Sequence, residues 1–187
     1  MRPRNILILA VILAVLAGVY YLASRPEPTT PPKPTVYVWN IDMEDIQHIE
    51  ILLPREGKSQ SFIKIPEGDK FPWHFDDPPL YSTVNSTRWG GGIPLLLSGP
   101  GAARDLGNVT NEKLAEYGLT NPSMKIIVTT KKDGIESVIE SDVGDLTLDS
   151  QNRYVRAPGS NAVALVDYTW YDVLERLVKE PPYATGS

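Results

Sequence analysis

The feature that most constrains this chain is an uninterrupted apolar run at residues 6–22, which contains no charged or amide side chain. A helix of this length rises about 25 Å, which is at the short end of what crosses the hydrocarbon core of a bilayer. Arg2 and Arg4 precede the run, and Tyr20 and Tyr21 stand near its end, at the depth where aromatic rings collect. The sequence therefore predicts a cytoplasmic stub and a transmembrane anchor over residues 1–24.

A cleaved signal peptide also begins with basic residues, so the flanking charges leave both interpretations open. Cleavage after Ala23 would place Tyr21 at a position that requires a small side chain. The chain has no cysteine, which excludes lipid attachment through a lipobox cysteine. The pattern favours a retained single-pass anchor in the cytoplasmic membrane. Because basic residues mark the cytoplasmic side, the C-terminal domain is expected to be extracytoplasmic, either periplasmic or on the cell surface.

Small residues recur every four positions within the apolar run, at Ala10, Ala14 and Gly18. Such a stripe allows a second transmembrane helix to approach closely. Alanine and glycine are also common in membrane helices generally, so a stripe without a partner is the alternative. The first interpretation predicts that these three residues bind another subunit within the bilayer.

The residues after the anchor have the composition of an acidic globular domain. The formal net charge is −5, and it becomes −7 once the two positive charges of Arg2 and Arg4 are set aside. An acidic surface without a basic, aromatic-rich cluster excludes nucleic acid as a partner. The lack of cysteine excludes disulfides, thiolate catalysis and cysteine-based zinc sites. The domain must therefore depend on a hydrophobic core.

A proline-rich linker, residues 25–35, separates the anchor from the domain at 36–187. Five of the nine residues at 26–34 are proline. Such a segment prefers an extended polyproline II conformation and would span roughly 28 Å. It is interpreted either as a spacer that presents the domain at a set height or simply as a protease-resistant linker.

The domain is predicted to be α+β, with one mostly antiparallel sheet and helices packed on one face. Two hairpins are predicted, one pairing residues 49–53 with 61–65 and the other pairing 124–130 with 135–140 around an Asp-Gly turn. Other strands are predicted at 36–39, 73–75, 153–157 and 162–166. Helices are predicted at 81–89, after the N-cap Thr110, and along the apolar face formed by Trp170, Val173, Leu174, Leu177 and Val178.

One connector in the second half of the domain combines a helix end with a strand start. Residues 114–122 read Leu-Ala-Glu-Tyr-Gly-Leu-Thr-Asn-Pro. Gly118 can adopt a positive φ that folds Leu119 back over the helix end, and Pro122 keeps the preceding residue extended. This local chemistry predicts a helix-to-strand connector that needs no ligand.

The connector resembles the L-x-x-Y-G-L-x-x-P signature of bacterial proteins grouped as domain of unknown function 4340. Further pieces follow in that family's order, at residues 73–75, 83–85, 143–145, 154–156 and 163–167, so that the resemblance extends over nearly the whole outer domain. It implies an anchored extracytoplasmic domain, in some members associated with transporter components of the gliding-motility type. It implies no catalytic residue, because none is established for the family.

Candidate catalytic and metal-binding residues are few. His48 and His74 are the only histidines, and both are expected to be surface or half-buried residues outside any active site. Asp76 and Asp77 are adjacent, so their carboxylates should point to opposite faces of an extended chain and favour a turn. The acidic residues Asp142, Asp145 and Asp149 lack the spacing of a calcium-binding loop. No catalytic residue, cofactor or metal is predicted.

The glycine-rich residues 89–94 and 98–101 lack the lysine and spacing of a phosphate-binding loop. Arg88 and Trp89 precede them and are residue types common at interface hot spots. They are interpreted either as part of an exposed partner-binding surface or, for Trp89, as a core residue.

These observations predict a non-enzymatic accessory or scaffold subunit of a larger membrane complex, of a transporter-like or electron-transfer type. Its partners would be the lipid bilayer and other subunits of that complex. One alternative is a module that binds envelope glycans or peptides through Trp73, Tyr81 and Trp89. A second alternative is a hydrolase that depends on His48 or His74.

Overall fold

A computed structural model describes residues 36–67, 72–90 and 92–183, together with Leu16. The predicted anchor, its Ala10, Ala14 and Gly18 stripe, and the proline-rich linker lie outside the described residues, apart from Leu16. Within the described part of the chain, no helix is both long enough and apolar enough to cross a membrane. The described domain belongs to the compact unit Thr35–Ser187.

The described residues form ten strands and four α-helices. The strands are β1 Val36–Tyr37, β2 Ile46–Leu53, β3 Lys58–Lys64, β4 Trp73–Phe75, β5 Gly101–Ala102, β6 Arg104–Asn108, β7 Met124–Lys132, β8 Ile135–Leu146, β9 Asn152–Arg156 and β10 Ala162–Asp167. The helices are α1 Ser86–Trp89, α2 Gly92–Ser98, α3 Asn111–Glu116 and α4 Tyr168–Lys179, and a 3₁₀ turn covers Met43–Asp45.

Eight strands form one sheet in the order β4-β3-β2-β7-β8-β9-β10-β6, and every paired strand is antiparallel. The two remaining strands, β1 and β5, pair with each other. The α+β class with an antiparallel sheet is therefore confirmed. Both predicted hairpins are confirmed: β2 pairs β3, and β7 pairs β8 around Asp133 and Gly134.

The main core lies on one face of the sheet. Alternate residues of β2 and β7 are buried there, as the period-2 geometry of a strand requires. The long helix α4 covers this face with Trp170, Leu174 and Leu177, as the apolar pattern predicts, while Val173 is 38% exposed. An edge-to-face contact between Trp39 and Trp170, with ring centroids 6.2 Å apart, joins the segment after β1 to α4.

Helix α3 packs on the opposite face of the sheet, so the prediction that all helices share one face is wrong. Leu114 of α3 forms a separate cluster with Leu119 and Val163. Val163 pairs with Arg156, whereas the next residue along β9, Val155, belongs to the main core. Because neighbouring side chains on a strand point to opposite faces, α3 covers the reverse side. A helix of only six residues is too short for its sequence pattern to indicate which face of the sheet it covers.

The helix predicted at 81–89 is also wrong in its first half. Helix α1 begins at Ser86, with the Asn85 side chain accepting hydrogen bonds from the Thr87 and Arg88 amides at 3.0 Å. Residues before Asn85 are extended instead, because Thr83 and Val84 form isolated bridges to neighbouring segments. Leu95, Leu96 and Leu97, a run too short to classify from the sequence, lie in α2. Tertiary bridging thus overrides the local helical pattern.

The connector at 114–122 has the predicted geometry. Thr110 caps α3, and Gly118 has a φ of +71°. The amide of Leu119 donates to the Leu114 carbonyl at 2.8 Å, and the Leu119 side chain is buried. These contacts are those of a helix that ends in a left-handed glycine, with the next apolar residue folded back.

Candidate functional site

A groove with a volume of about 940 Å³ lies beside strand β8. Four charged side chains line it: Lys125 of β7, Glu140 and Asp142 of β8, and Arg156 of β9. The turn at residues 158–161 and the residues before α3 form its opposite wall. The groove is therefore polar and is built mainly from neighbouring strands.

Asp142 lies at the buried end of this charged cluster. It belongs to a run of four buried residues in β8, 141–144, where burial no longer alternates because both faces of the sheet are covered. The carboxylate pairs with the Arg156 guanidinium through Oδ2. The Lys125 Nζ lies 3.0 Å from the other oxygen, Oδ1. A carboxylate with only 3% residue exposure requires such partners, because burying a lone charge is costly.

The Lys125 ammonium sits between two carboxylates. Its Nζ is 3.6 Å from Glu140 Oε2 in addition to the 3.0 Å contact with Asp142. The Asp142 Oδ1 atom nevertheless has no aligned hydrogen bond, so the Lys125 contact is ionic rather than directional. The two carboxylates, Glu140 and Asp142, are therefore balanced by the two cations, Lys125 and Arg156, and Asp142 Oδ1 has no aligned hydrogen bond. The cluster is not visible in the sequence, because its members come from three strands.

Strand β8 has a free edge along the same groove. It pairs with β7 from Ile135 to Val143 but meets β9 only from Val143 onward. The loop residues Asp133 and Gly134 have φ values of 51° and 81°, which are those of a two-residue type I′ turn. In such a hairpin the residues flanking the loop form a hydrogen-bonded pair, and hydrogen-bonded and non-hydrogen-bonded pairs then alternate.

It follows that the backbone groups of Ile135 and every second residue after it point toward β7. The backbone N–H and C=O groups of Glu136, Val138 and Glu140 point away from β7. No described residue pairs with these outward groups. The groove is thus bordered by three residues whose backbone donors and acceptors have no protein partner within the described chain.

The two histidines lie at the other end of the sheet. His48 Nε2 is 3.1 Å from Asp76 Oδ2, while the adjacent Asp77 carboxylate accepts hydrogen bonds from the Ser82 amide and hydroxyl, each at 2.9 Å. The neighbouring carboxylates therefore bind separate partners, as expected for a turn. No serine or threonine hydroxyl is hydrogen-bonded to either histidine among the described residues.

His74 is more buried than predicted. Its Nδ1 lies 2.8 Å from the Tyr81 carbonyl oxygen, so this nitrogen is the donor of the pair. Glu67 Oε1 lies 3.2 Å from Nε2, but without the alignment of a hydrogen bond. The Nδ1 contact links β4 to the extended segment after it and gives His74 a structural role.

Trp89 is a core residue in this structure. Its side chain is only 5% exposed and contacts the rings of Phe62 and Trp73, with centroids 4.6 and 5.2 Å away. Arg88 points elsewhere and donates hydrogen bonds to the carbonyl oxygens of Glu180 and Pro181 at 2.6 and 3.1 Å. Of the two interpretations offered for Trp89, the structure thus shows the core one, while partner binding by Arg88 stays a prediction.

The three aromatic residues considered for ligand stacking do not share an exposed surface. Trp73 and Trp89 are both buried, whereas Tyr81 is 38% exposed. A stacking platform requires accessible ring faces. The glycan- or peptide-binding alternative requires the three rings to line one exposed groove, and the burial of Trp73 and Trp89 does not support it.

The acidic residues considered for calcium binding also have separate partners. Asp145 pairs with Arg55, Nη1 to Oδ1, at 2.7 Å, and Asp149 accepts from the Thr147 hydroxyl at 2.6 Å. Hydrogen bonds from Thr147 and Gln151 lower the pKa of the Asp149 carboxyl. With Asp142 paired to Arg156, the three carboxylates do not converge on one centre.

Arg55 joins the first hairpin to the connector. Besides pairing with Asp145, its guanidinium donates to the carbonyl oxygens of Asn121 at 2.8 Å and Gly118 at 3.3 Å. A side chain at Gly118 would collide with this arrangement, since its Cβ would stand 2.8 Å from Arg55 Nη2. Gly118 is thus needed both for the positive φ at the end of α3 and for the close approach of Arg55.

Arg153 contacts both Tyr171 of α4 and Gly144, the residue of β8 that packs against the connector. The Arg153 guanidinium carbon lies 3.6 Å from the centroid of the Tyr171 ring, and its Nη1 donates to the Gly144 carbonyl at 3.2 Å. Burial raises the pKa of the Tyr171 phenol, although Ser123 and Arg153 act in the opposite direction. These contacts tie α4 to the sheet.

The fold and groove define an α+β domain with an antiparallel sheet and a polar groove at a free strand edge. Residues 103–180 match the family described as "Domain of unknown function (DUF4340)", so this part of the chain is a DUF4340 domain. The match contains the connector and the pieces at 143–145, 154–156 and 163–167, whereas the pieces at 73–75 and 83–85 precede it. The family resemblance is therefore confirmed, but over a shorter segment than expected. No curated protein and no solved structure matches the chain significantly.

Proposed function

We propose that this protein is a non-enzymatic accessory subunit, held in the cytoplasmic membrane by residues 6–22, that presents its acidic domain to partner proteins outside the cytoplasm. The observation that carries the proposal is the edge of β8 that no described strand pairs, beside the polar groove. Unpaired backbone groups at a sheet edge are suited to protein contacts. The buried Asp142 carboxylate is already paired with Arg156 and Lys125, which suits recognition better than bond making.

Three sequence features support this role. The apolar run and the proline-rich linker would hold the domain at a distance from the bilayer. The Ala10, Ala14 and Gly18 stripe offers a contact within the membrane. The DUF4340 match is in keeping with the resemblance to anchored extracytoplasmic domains. Together they describe a subunit with one contact surface in the bilayer and another outside it.

Purification of the full chain from its native membrane in a mild non-ionic detergent tests the proposal. We expect the protein to migrate in a complex with other membrane proteins, which mass spectrometry would identify. Replacing both Ala14 and Gly18 with leucine should release those partners, because the larger side chains block close helix approach. The matched control is Ala23→Leu, because Ala23 is also small but lies on the opposite side of an ideal helix from Ala14.

A free monomer without co-purifying proteins would contradict the proposal. Equal loss of partners in Ala23→Leu would show that the stripe has no specific role. Detection of the mature protein without residues 1–24 would show that these residues are a cleaved signal peptide and that the domain is secreted rather than anchored.

A further inference from the structure

We propose that the free edge of β8 binds an extended, basic segment of a partner protein by β-strand addition. This inference rests on the proposed partner-presenting role and specifies the surface and the chemistry of the partner. In this mode the added strand hydrogen-bonds to the sheet edge through its backbone, while alternate side chains provide specificity.

Strand addition first requires backbone groups that are available for hydrogen bonding, and β8 provides them. Glu136, Val138 and Glu140 direct their N–H and C=O groups away from β7, and no described residue hydrogen-bonds to those groups. They follow one another at every second residue, so they cover about 13 Å of strand. This length matches an added strand of about five residues.

Strand addition also requires accessible side chains that can select the partner, and the edge of β8 carries three of them. Val138 is 60% exposed, and the side chains of Glu136 and Glu140 are 67% and 60% exposed. All three lie on the same face as Asp142, because strand side chains alternate. An added strand would therefore meet a row that reads acidic, apolar, acidic, with the buried carboxylate of Asp142 at its end.

The charges on this row favour a basic partner. The contacts of Glu136 and Glu140 with lysines are long, 4.0 Å to Lys131 and 3.6 Å to Lys125, and those lysines lie on the β7 side. The carboxylates thus stay accessible from the groove. Asp142 is buried and already paired with Lys125 and Arg156, so the exposed carboxylates of Glu136 and Glu140 are the ones that a partner can reach. Lysine or arginine side chains at alternate positions of the partner would complement these oxygens.

The same charges disfavour a second copy of this chain as the occupant. Antiparallel self-pairing centred on Val138 would place Glu136 of one copy opposite Glu140 of the other. Like charges directly opposite each other destabilise a strand pair. Charged residues on the edge thus limit self-association while they select a basic strand.

The groove provides room for the added strand. A neighbouring strand lies about 4.8 Å from the edge with which it pairs. The wall opposite β8 is formed by the turn at 158–161 and by Asn108, and the groove between them has a volume of about 940 Å³. Polar groups of this wall, including Asn161 and Ser160, face the far side of the proposed strand.

A binding measurement on the full-length protein in non-ionic detergent tests the inference. The probe is a capped nine-residue peptide in which lysine alternates with valine, labelled for fluorescence anisotropy. We expect saturable binding that weakens with salt. A peptide of the same sequence with N-methyl groups on alternate residues should bind at least about tenfold more weakly, because it cannot donate the ladder hydrogen bonds.

Two variants locate the site. Replacing both Glu136 and Glu140 with lysine should weaken binding about tenfold or more. The matched control replaces Glu112 and Glu116 with lysine, since these residues have the same spacing and charge but lie on α3. Val138→Pro removes one outward N–H and should also weaken binding.

Three outcomes would overturn the inference: no binding of the peptide, equal binding of the N-methylated peptide, or equal loss in the two charge-reversal variants. A dimer that Val138→Pro dissociates would identify a second copy as the occupant instead. If partners co-purify with the full chain while the peptide fails to bind, the edge assignment is wrong and the accessory role stands. The peptide and charge-reversal arms keep the test decisive even if Val138→Pro does not fold.

Discussion

The carbonyl oxygen of Tyr117 lies so close to the α-carbon of Gly144 that a Cβ atom at Gly144 would overlap it. The same carbonyl accepts a hydrogen bond from the Asp145 amide at 2.9 Å. The end of α3 is therefore held directly against β8. Two pieces of the DUF4340 segment that are distant in sequence thus form one contact.

Gly144→Ala should destabilise the domain by about 3 kcal/mol, because the new methyl group meets a backbone atom that cannot rotate away. Chemical unfolding of the full-length protein in non-ionic detergent, followed by tryptophan fluorescence, measures the change. The control is Gly92→Ala in α2, where an added Cβ has nothing within 4 Å. That change should be neutral or slightly stabilising. Equal stability of Gly144→Ala and the native protein would contradict the close approach.

Trp89→Ala should cost about 3–5 kcal/mol, because it removes a buried ring that contacts Phe62 and Trp73. Arg88→Ala should cost only about 1 kcal/mol, since it removes hydrogen bonds to two exposed carbonyl groups. The same unfolding measurement compares them. If Trp89→Ala instead reduced partner recovery without reducing stability, Trp89 would belong to a binding surface.

Asp142→Asn should destabilise the domain by about 3 kcal/mol, toward the low end for breaking a buried ion pair because Arg156 and Lys125 are about one-third exposed. The substitution leaves both cations without their shared carboxylate. Glu140→Gln removes a charge two residues away on the same strand face, where the side chain is 60% exposed. That control should stay within about 0.5 kcal/mol of the native protein. Similar losses in both variants would argue against a buried pair.

Alkaline pH should destabilise the protein partly through Tyr171, whose pKa is raised by burial. A group with a higher pKa in the folded state stabilises that state fully below its unfolded pKa, and this contribution is lost as the pH rises through the folded pKa. For a tyrosine the loss begins near about pH 10. The free energy of unfolding of the native protein should therefore fall more steeply above that pH than that of Tyr171→Phe. Parallel curves would show that the phenol titrates normally.

Much of the local structure could be predicted from the sequence, because its causes lie within a few residues. The Asp133-Gly134 turn specifies its hairpin through backbone conformation, and Thr110 and Gly118 delimit α3 through capping chemistry. The failed prediction at 81–84 has the opposite cause. There, bridges from Thr83 to His74 and from Val84 to Tyr183 outweigh the local preference.

The candidate site could not be predicted in the same way. Asp142 looks like one of several scattered acidic residues until strand pairing brings Lys125 and Arg156 beside it. The free edge of β8 is equally hidden, because it depends on where β9 stops pairing. Residue type alone suggested Trp89 as a binding residue, whereas the packing of Phe62 and Trp73 makes it part of the core.

The sequence by itself determined the antiparallel hairpins, the helix caps and the family connector, because turn and cap chemistry act over short distances. The apolar run at 6–22 likewise led to the proposal of a membrane anchor. Only the tertiary structure decided which face each helix covers, which carboxylate is buried and which strand edge is free. These properties depend on contacts between distant residues, such as the Arg55–Asp145 pair, which is separated by 90 positions and held at 2.7 Å.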